Sequence, residues 1–177
     1  MPATPDALFA YLDGLGIAHK TVTHAAAFTV EQARELRGAV PGDHTKNLFL
    51  RDKKGAPYLV VANEDAAIEL KSLHRLLGAS GRFSFGSAEL MRELLGVEPG
   101  SVTPFAAIND TDCRVTIVLD AAMMALPVLN FHPLANTGTT TISREGLLKF
   151  LEATGHRPRI EPVSSAAQAP DNACPRT

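Results

Sequence analysis

The chain reads as an α+β domain built on a mixed, partly barrel-like central β-sheet with helices around it. Helical and strand-like periods are interleaved, without the strict alternation that makes an all-parallel sheet. The β-rich runs are short and bounded by Pro, Asn, Asp or Gly. The length of 177 residues, 45% hydrophobic and 20% charged, suits one core-bearing domain. Residues 1–163 are assigned to that domain. Residues 164–177 carry Ala, Ser and Pro with no large apolar side chain and are expected to form a flexible tail.

Leu8, Tyr11, Leu12 and Leu15 recur at helical spacing between Thr4-Pro5 and Gly16, which predicts a helix over 6–15. A short strand follows over 19–24. Thr29 and Gln32 are spaced as a capping box ahead of Gly38, so 29–37 reads as a second helix. The β-rich runs 46–51 and 58–61 flank Asp52, Gly55 and Pro57 and predict a hairpin. Helices are expected over 68–77 and 87–95, each closed by a glycine, Gly78 and Gly96, with an extended piece over 82–85 between them. Strands are expected over 102–108, 114–119, 128–131 and 139–142. Ser143 then caps a helix over 143–152, and the chain leaves through 158–163.

A net charge of −2 argues against a generic nucleic-acid coat protein, although Lys46, Arg51, Lys53 and Lys54 in one stretch and Lys71, Arg75 and Arg82 in another form local basic patches. No apolar run approaches the roughly 20 residues of a membrane span, and the acidic, proline-bearing start is unlike a signal peptide. A cytoplasmic, monomeric protein with no membrane partner is the expectation. Cys113 and Cys174 form no paired motif, and the histidines show no metal-ligand spacing, so no metal and no cofactor are expected. Phosphate-cradling loops, dinucleotide fingerprints, zinc-protease motifs and nucleophile elbows are missing too. The Met123-Met124 pair, Phe83 and Phe85 are read as core packing, with aromatic stacking on a terminal adenine as the lesser alternative.

Three segments remain informative: His44-Thr45-Lys46-Asn47-Leu48, Gly100-Ser101-Val102-Thr103-Pro104-Phe105, and Asn130-Phe131-His132-Pro133-Leu134-Ala135-Asn136-Thr137. In this order they resemble the YbaK/ProX editing domain, which occurs as an insertion in bacterial prolyl-tRNA synthetases and as free proteins. The third motif is most similar to the alanine-specific branch, ProXp-ala, with the cysteine-specific branch second. The resemblance implies a deacylase that hydrolyses mischarged Ala-tRNA(Pro). It further implies the acceptor end of tRNA(Pro) as ligand, and prolyl-tRNA synthetase or an elongation factor as cellular partner.

An aminoacyl ester is already activated, so positioned water, a place for the developing oxyanion and proton movement suffice without a Ser-His-Asp triad. The resemblance places the essential lysine at Lys46, to hold the terminal phosphate or ribose. Gly100, whose backbone can approach a ligand closely, is expected to bind the substrate carbonyl with the Ser101 amide. His132 is read as an anchor for the amino group or ribose. Asn47, Ser101, Pro104, Phe105, Asn136 and Thr137 are the expected pocket residues, and Lys53, Lys54 and Arg82 the expected tRNA contacts. A synthetic site for proline rejects a smaller amino acid poorly, at ~1–3 kcal/mol per lost methylene, so a second, smaller pocket would complete the sieve. A non-catalytic tRNA-binding module and a small-ligand domain without RNA are the rival readings.

Overall fold

The computed structural model describes residues 1–25 and 43–164. The helix expected over 29–37 lies outside the described residues, as does the expected tail apart from Ser164.

Helix α1 (Pro5–Gly14) starts where expected because Thr4 accepts a hydrogen bond from the Ala7 amide and Pro5 needs no amide partner in the first turn. It buries Leu8 and Leu12. β1 (His19–Thr23) follows, then the hairpin β2 (Asp43–Arg51) and β3 (Pro57–Asn63), antiparallel from Thr45↔Asn63 to Arg51↔Pro57. Its turn is organised by Asp52, whose Oδ1 accepts from the amides of Lys54 and Ala56 and whose Oδ2 accepts from Ser80. Burial pushes this carboxyl up, but backbone amides at Ala56, Ser80, Lys54 and Gly55 outweigh it and hold Asp52 below the ordinary carboxylate range.

Helices α2 (Leu70–Leu77) and α3 (Ala88–Leu95) end on left-handed Gly78 and Gly96, and Ser87 caps α3 through the Leu90 amide. Between them lies β4 (Ser84–Phe85), paired to β2. β5 (Thr116–Asp120), β6 (Val128–Phe131) and β7 (Gly138–Ser143) match three of the expected strands, and α4 (Arg144–Ala153) is capped by Ser143.

Residues 102–108 do not form the expected strand. Pro104–Asn109 is a 3-10 helix, because Thr103 Oγ1 accepts from the Phe105 amide and Pro104 fixes φ at the first helical position. The exit 158–163 contains a further strand, β8 (Arg159–Glu161), parallel to β5. Met123 and Met124 are buried as expected, and Phe83 packs edge-on against Tyr58. Phe85 is not core: its side chain is 62% exposed.

The mixed sheet has the order β1-β7-β6-β2-β3-β5-β8, with β4 beside β2. It is not a closed barrel, since β1 and β8 end the ladder. The larger core cluster places Leu8, Leu12, Leu94, Leu95, Phe105, Phe150 and Leu151 against Phe49, Leu59, Leu119 and Phe131 of the sheet. On the opposite face Leu73 and Leu77 of α2 meet Leu50, Tyr58, Val60 and Val118. β3 lies under both layers, which is why Tyr58 to Ala62 is an unbroken buried apolar run rather than an alternating one.

Candidate functional site: the β2–β6 junction and a basic cleft

β2 and β6 run parallel with His44 beside Asn130. Paired residues in a parallel ladder share a face, and alternate residues along each strand return to it. The ladder stops there: Lys46 lies two residues past His44 on β2, and His132 lies two residues past Asn130, just beyond the end of β6. Thr45 Oγ1 locks this junction by donating to the Asn130 carbonyl at 2.7 Å. Asn130 is itself pinned, because its Oδ1 accepts from Thr141 Oγ1 on the neighbouring β7.

Lys46 is half-buried, and its Nζ donates to the carbonyl of Ala66 in the β3–α2 connection. His132 Nδ1 lies 3.1 Å from the Gly138 carbonyl. A carbonyl only accepts, so Nδ1 carries a proton there and the ring orientation is set. The loop between them is tight. Leu134 adopts φ 66°, and a Cβ on Gly138 would stand 3.1 Å from Pro133 Cγ.

Gly100 has φ 91° and is exposed, which suits glycine at a close backbone approach. A Cβ there would lie 4.0 Å from Asn136 Nδ2, so the Gly100 turn and the loop after His132 are neighbours. The expected pair of amide donors is reduced to one. The Ser101 amide already donates to the Glu98 carbonyl at 3.0 Å, whereas the Gly100 amide makes no hydrogen bond among the described residues.

Pro104 and Phe105 are fully or nearly fully buried, and Phe105 packs edge-on between Phe131 at 5.7 Å and Phe150 at 5.4 Å. Phe105 thus braces the end of β6 just before His132, and both it and Pro104 are buried rather than facing solvent. Thr137 is exposed, and its carbonyl accepts from the His24 amide at 2.8 Å. Asn47 points to the opposite face of β2 from Lys46. Its Oδ1 is buried without a hydrogen-bond partner among the described residues, and so is Oδ1 of Asn63 near it on β3. An orphaned buried acceptor costs about 1–3 kcal/mol, which a bound donor would recover.

Sequence reasoning missed His24, Thr139, Thr141 and Asn63. His24 joins the site through Nε2, 2.8 Å from Thr139 Oγ1, while its Nδ1 lies 2.8 Å from the Ala25 carbonyl. Nothing in the local pattern of a strand-end histidine or a threonine-rich strand marks these residues, since the β1–β7 pairing brings His24 to Thr139 and the β6–β7 pairing brings Thr141 to Asn130.

Lys53, Lys54 and Arg82, far apart in sequence, meet in a cleft of about 730 Å³ that Arg51, Asp52, Gly55, His74, Gly81 and Ser84 complete. Four cationic side chains therefore face one carboxylate, and that carboxylate is saturated by amides. The Lys53 amide donates to the Ser80 carbonyl at 2.8 Å, and a Cβ on Gly81 would come within 2.9 Å of Lys53 Cβ. Only glycine lets the two loops close this tightly. Arg51 lies five residues beyond Lys46 on β2, about 17 Å at ~3.3 Å per residue, so the cleft at the end of the strand stands well apart from Lys46.

Among the described residues no group of three His, Cys, Asp or Glu side chains gathers to hold a metal, and no helix is long and apolar enough to cross a membrane.

Residues 24–150 match the family model of the aminoacyl-tRNA editing domain. Prolyl-tRNA editing protein ProX of Acetoanaerobium sticklandii is 34% identical over 151 residues, 85% of this chain and 92% of that protein. Prolyl-tRNA synthetase associated domain-containing protein 1 of Mus musculus is 39% identical over 153 residues, 84% of this chain and 90% of that one. A crystal structure of a proposed trans-editing enzyme for prolyl tRNA synthetase superposes with a TM-score of 0.66 at 22% identity, covering 91% of this chain and 98% of its own. It shares the mixed α+β fold. The matched span contains Lys46, Gly100, His132 and the whole basic cleft, and on that match and the two relatives the chain belongs to the aminoacyl-tRNA editing domain family.

Proposed function

We propose that this chain is a trans-editing deacylase that hydrolyses mischarged Ala-tRNA(Pro) to free alanine and tRNA(Pro). The observation that carries the reading is the parallel pairing of β2 with β6, two residues beyond which Lys46 and His132 follow on their own segments, with the Gly100 turn against Asn136 in the loop after His132. The names of the relatives, a prolyl-tRNA editing protein and prolyl-tRNA synthetase associated proteins, support proline tRNA as the RNA partner.

Each residue then has a separable task. Lys46 leaves the Ala66 carbonyl to neutralise the terminal phosphate or hold the ribose of the esterified nucleotide. His132, its Nδ1 engaged by Gly138, turns Nε2 to the amino group or ribose. The free Gly100 amide meets the ester carbonyl oxygen as negative charge develops on it. Water attacks the carbonyl carbon, the bond to the ribose oxygen breaks, and the neighbouring ribose hydroxyl assists the proton transfer to that leaving oxygen. Asn136 lines the space for the side chain, with Ser101, Pro104 and Phe105 setting its depth from behind, whereas Asn47 faces the other side of β2. The basic cleft holds the phosphates upstream, through Lys53, Lys54 and Arg82.

The test is deacylation of tRNA(Pro) charged separately with alanine, cysteine, serine and proline. Alanine should be released fastest. Cysteine as the preferred substrate would keep the chemistry and move the chain to the cysteine-specific branch. RNA binding with no amino acid released from any of the four would reject catalysis.

A further inference from the structure

Away from the Lys46 site, two buried side chains, Asp110 and His156, meet at 2.9 Å, and the exposed thiol of Cys113 lies within reach of the imidazole. Cys113 precedes β5 at the end of the sheet where Thr116 pairs with Tyr58. Lys46 pairs with Ala62, four residues further along β3.

Asp110 builds the turn that carries the thiol. Its carbonyl accepts from the Cys113 amide at 3.1 Å, its Oδ1 from the Arg114 amide at 3.0 Å and its Oδ2 from the Val115 amide at 2.9 Å. The chain is thereby held with Cys113 at φ 52°, a left-handed conformation that any residue with a Cβ adopts only at a cost. Beyond the sulfur lies Gly155, where a Cβ would come within 3.2 Å of Sγ. The missing side chain lets the sulfur approach His156 while Cys113 stays open to solvent.

Proton accounting around His156 shows what this arrangement can do. An ionised carboxylate only accepts, so Nε2 carries a proton toward Asp110 Oδ2 at 2.9 Å. Nδ1 is left facing Thr154 Oγ1 at 3.0 Å and Cys113 Sγ at 4.0 Å. The Thr154 hydroxyl donates its one proton to the Leu151 carbonyl at 2.8 Å, so it presents an acceptor to Nδ1. A proton arriving on Nδ1 therefore finds an oxygen to receive it and a carboxylate behind the ring to balance the charge. The donor within reach is the thiol, which also lies 3.7 Å from the Thr154 carbonyl. The neighbouring cation, Arg114, is engaged with Glu93 at 3.1 Å, which leaves His156 to meet charge on the sulfur. Nucleophile, base and orienting carboxylate stand in sequence, as an activated thiol requires.

We propose that Cys113 is an activated thiol that exchanges with low-molecular-weight disulfides, with His156 as its base and Asp110 and Thr154 as positioning residues. Cys113 passes its proton to His156 Nδ1, and Sγ attacks one sulfur of the incoming disulfide. A new S–S bond forms to Cys113 and the old one breaks. Its electron pair leaves on the second sulfur, which takes the proton from Nδ1 and departs as a free thiol. Cys113 is oxidised to a mixed disulfide and the departing half is reduced. This inference stands independently of the editing reading.

The test uses the full chain carrying Cys174→Ser, which leaves one thiol, and an aryl disulfide that releases a coloured thiolate. At neutral pH the folded chain should react at least about ten-fold faster than the same chain in urea, where Cys113 has lost its neighbours. His156→Gln, which cannot take the proton, and Thr154→Val, which removes the accepting oxygen, should each slow the folded chain by about five-fold or more. Thr154→Ser keeps the oxygen and should keep the rate. Oxidised glutathione should leave a glutathionyl adduct on Cys113, seen as a mass increase that a dithiol reverses. If His156→Gln does not fold, the Thr154 pair decides. A smaller ratio of folded to unfolded rates, or a folded Thr154→Val that reacts as fast as Thr154→Ser, overturns the proposal and leaves Asp110 and His156 as a structural pair beside an ordinary cysteine.

Discussion

Lys46 illustrates how far a single residue can be read. Its position in the Thr45-Lys46-Asn47 segment marks it as a site candidate, but only the pairing of β2 with β6 brings its strand against the one that leads into His132. Replacing it with alanine removes a half-buried charge from within β2 and its hydrogen bond to the Ala66 carbonyl but no core volume, so the fold should survive. Lys46→Ala should therefore lower kcat/KM for the mischarged substrate by about 100-fold or more, the scale of one lost transition-state contact, with an unchanged melting curve. Near wild-type turnover would remove Lys46 from the mechanism. Asp52 is different in kind. Its folded carboxyl is held below the ordinary range, so its stabilisation is fully present above the unfolded pKa of about 3.9 and is lost as pH falls through the lower folded value. Asp52→Ala should cost about 2 kcal/mol at neutral pH, for three amides left without their acceptor, and the gap to wild type should narrow in acid. Thermal melts at pH 7 and about pH 3 check both the size and the sign.

Elements were legible where their ends carry explicit chemistry. Thr4, Ser87 and Ser143 cap three helices, Gly78 and Gly96 close two, and these boundaries follow from the sequence to within a residue or two. The failures have equally local causes. Val102 and the apolar run after it suggest a strand, but Thr103 and Pro104 start a tight helix that tucks Phe105 into the core. β8 is three residues long and exists because it can lie beside β5, a tertiary fact with no periodic signature. Phe85 was read as core by residue type alone, whereas its strand lies where nothing described covers it. The two loops of the basic cleft test this scale directly. Gly81 sits at φ 80° with Lys53 Cβ 2.9 Å from where its own would be, so Gly81→Ala should push the loops apart. The expected outcome is a loss of about 1–3 kcal/mol together with weaker RNA affinity, measured by melting and by titration with tRNA.

At the scale of the whole molecule, one strand links two functions. β2 carries Lys46 as its fourth residue and Arg51 as its last, so in the proposed function the sheet sets the distance between the ester and the basic cleft. The α+β class was readable from interleaved periods, but the strand order was not, because β1-β7-β6-β2 brings segments more than a hundred residues apart into register. That order brings β1, β7 and β6 to the site, and it is why His24 and Thr139 escaped sequence reasoning while Lys46 and His132 did not. Net charge of −2 conceals the cleft, which appears only when Lys53, Lys54 and Arg82 are folded together. Binding to tRNA should weaken steeply as salt rises, and Lys53→Ala should reduce the slope of log affinity against log salt by about 1.

The central claim is that this small site removes alanine from tRNA(Pro) and spares proline. The sieve must be steric, because burying proline's extra methylenes would otherwise favour its binding. The direct measurement compares first-order release of amino acid from Ala-tRNA(Pro) and Pro-tRNA(Pro) at the same enzyme concentration. The account predicts rapid loss of alanine and a proline ester decaying at little more than its uncatalysed rate; equal rates for the two would contradict it.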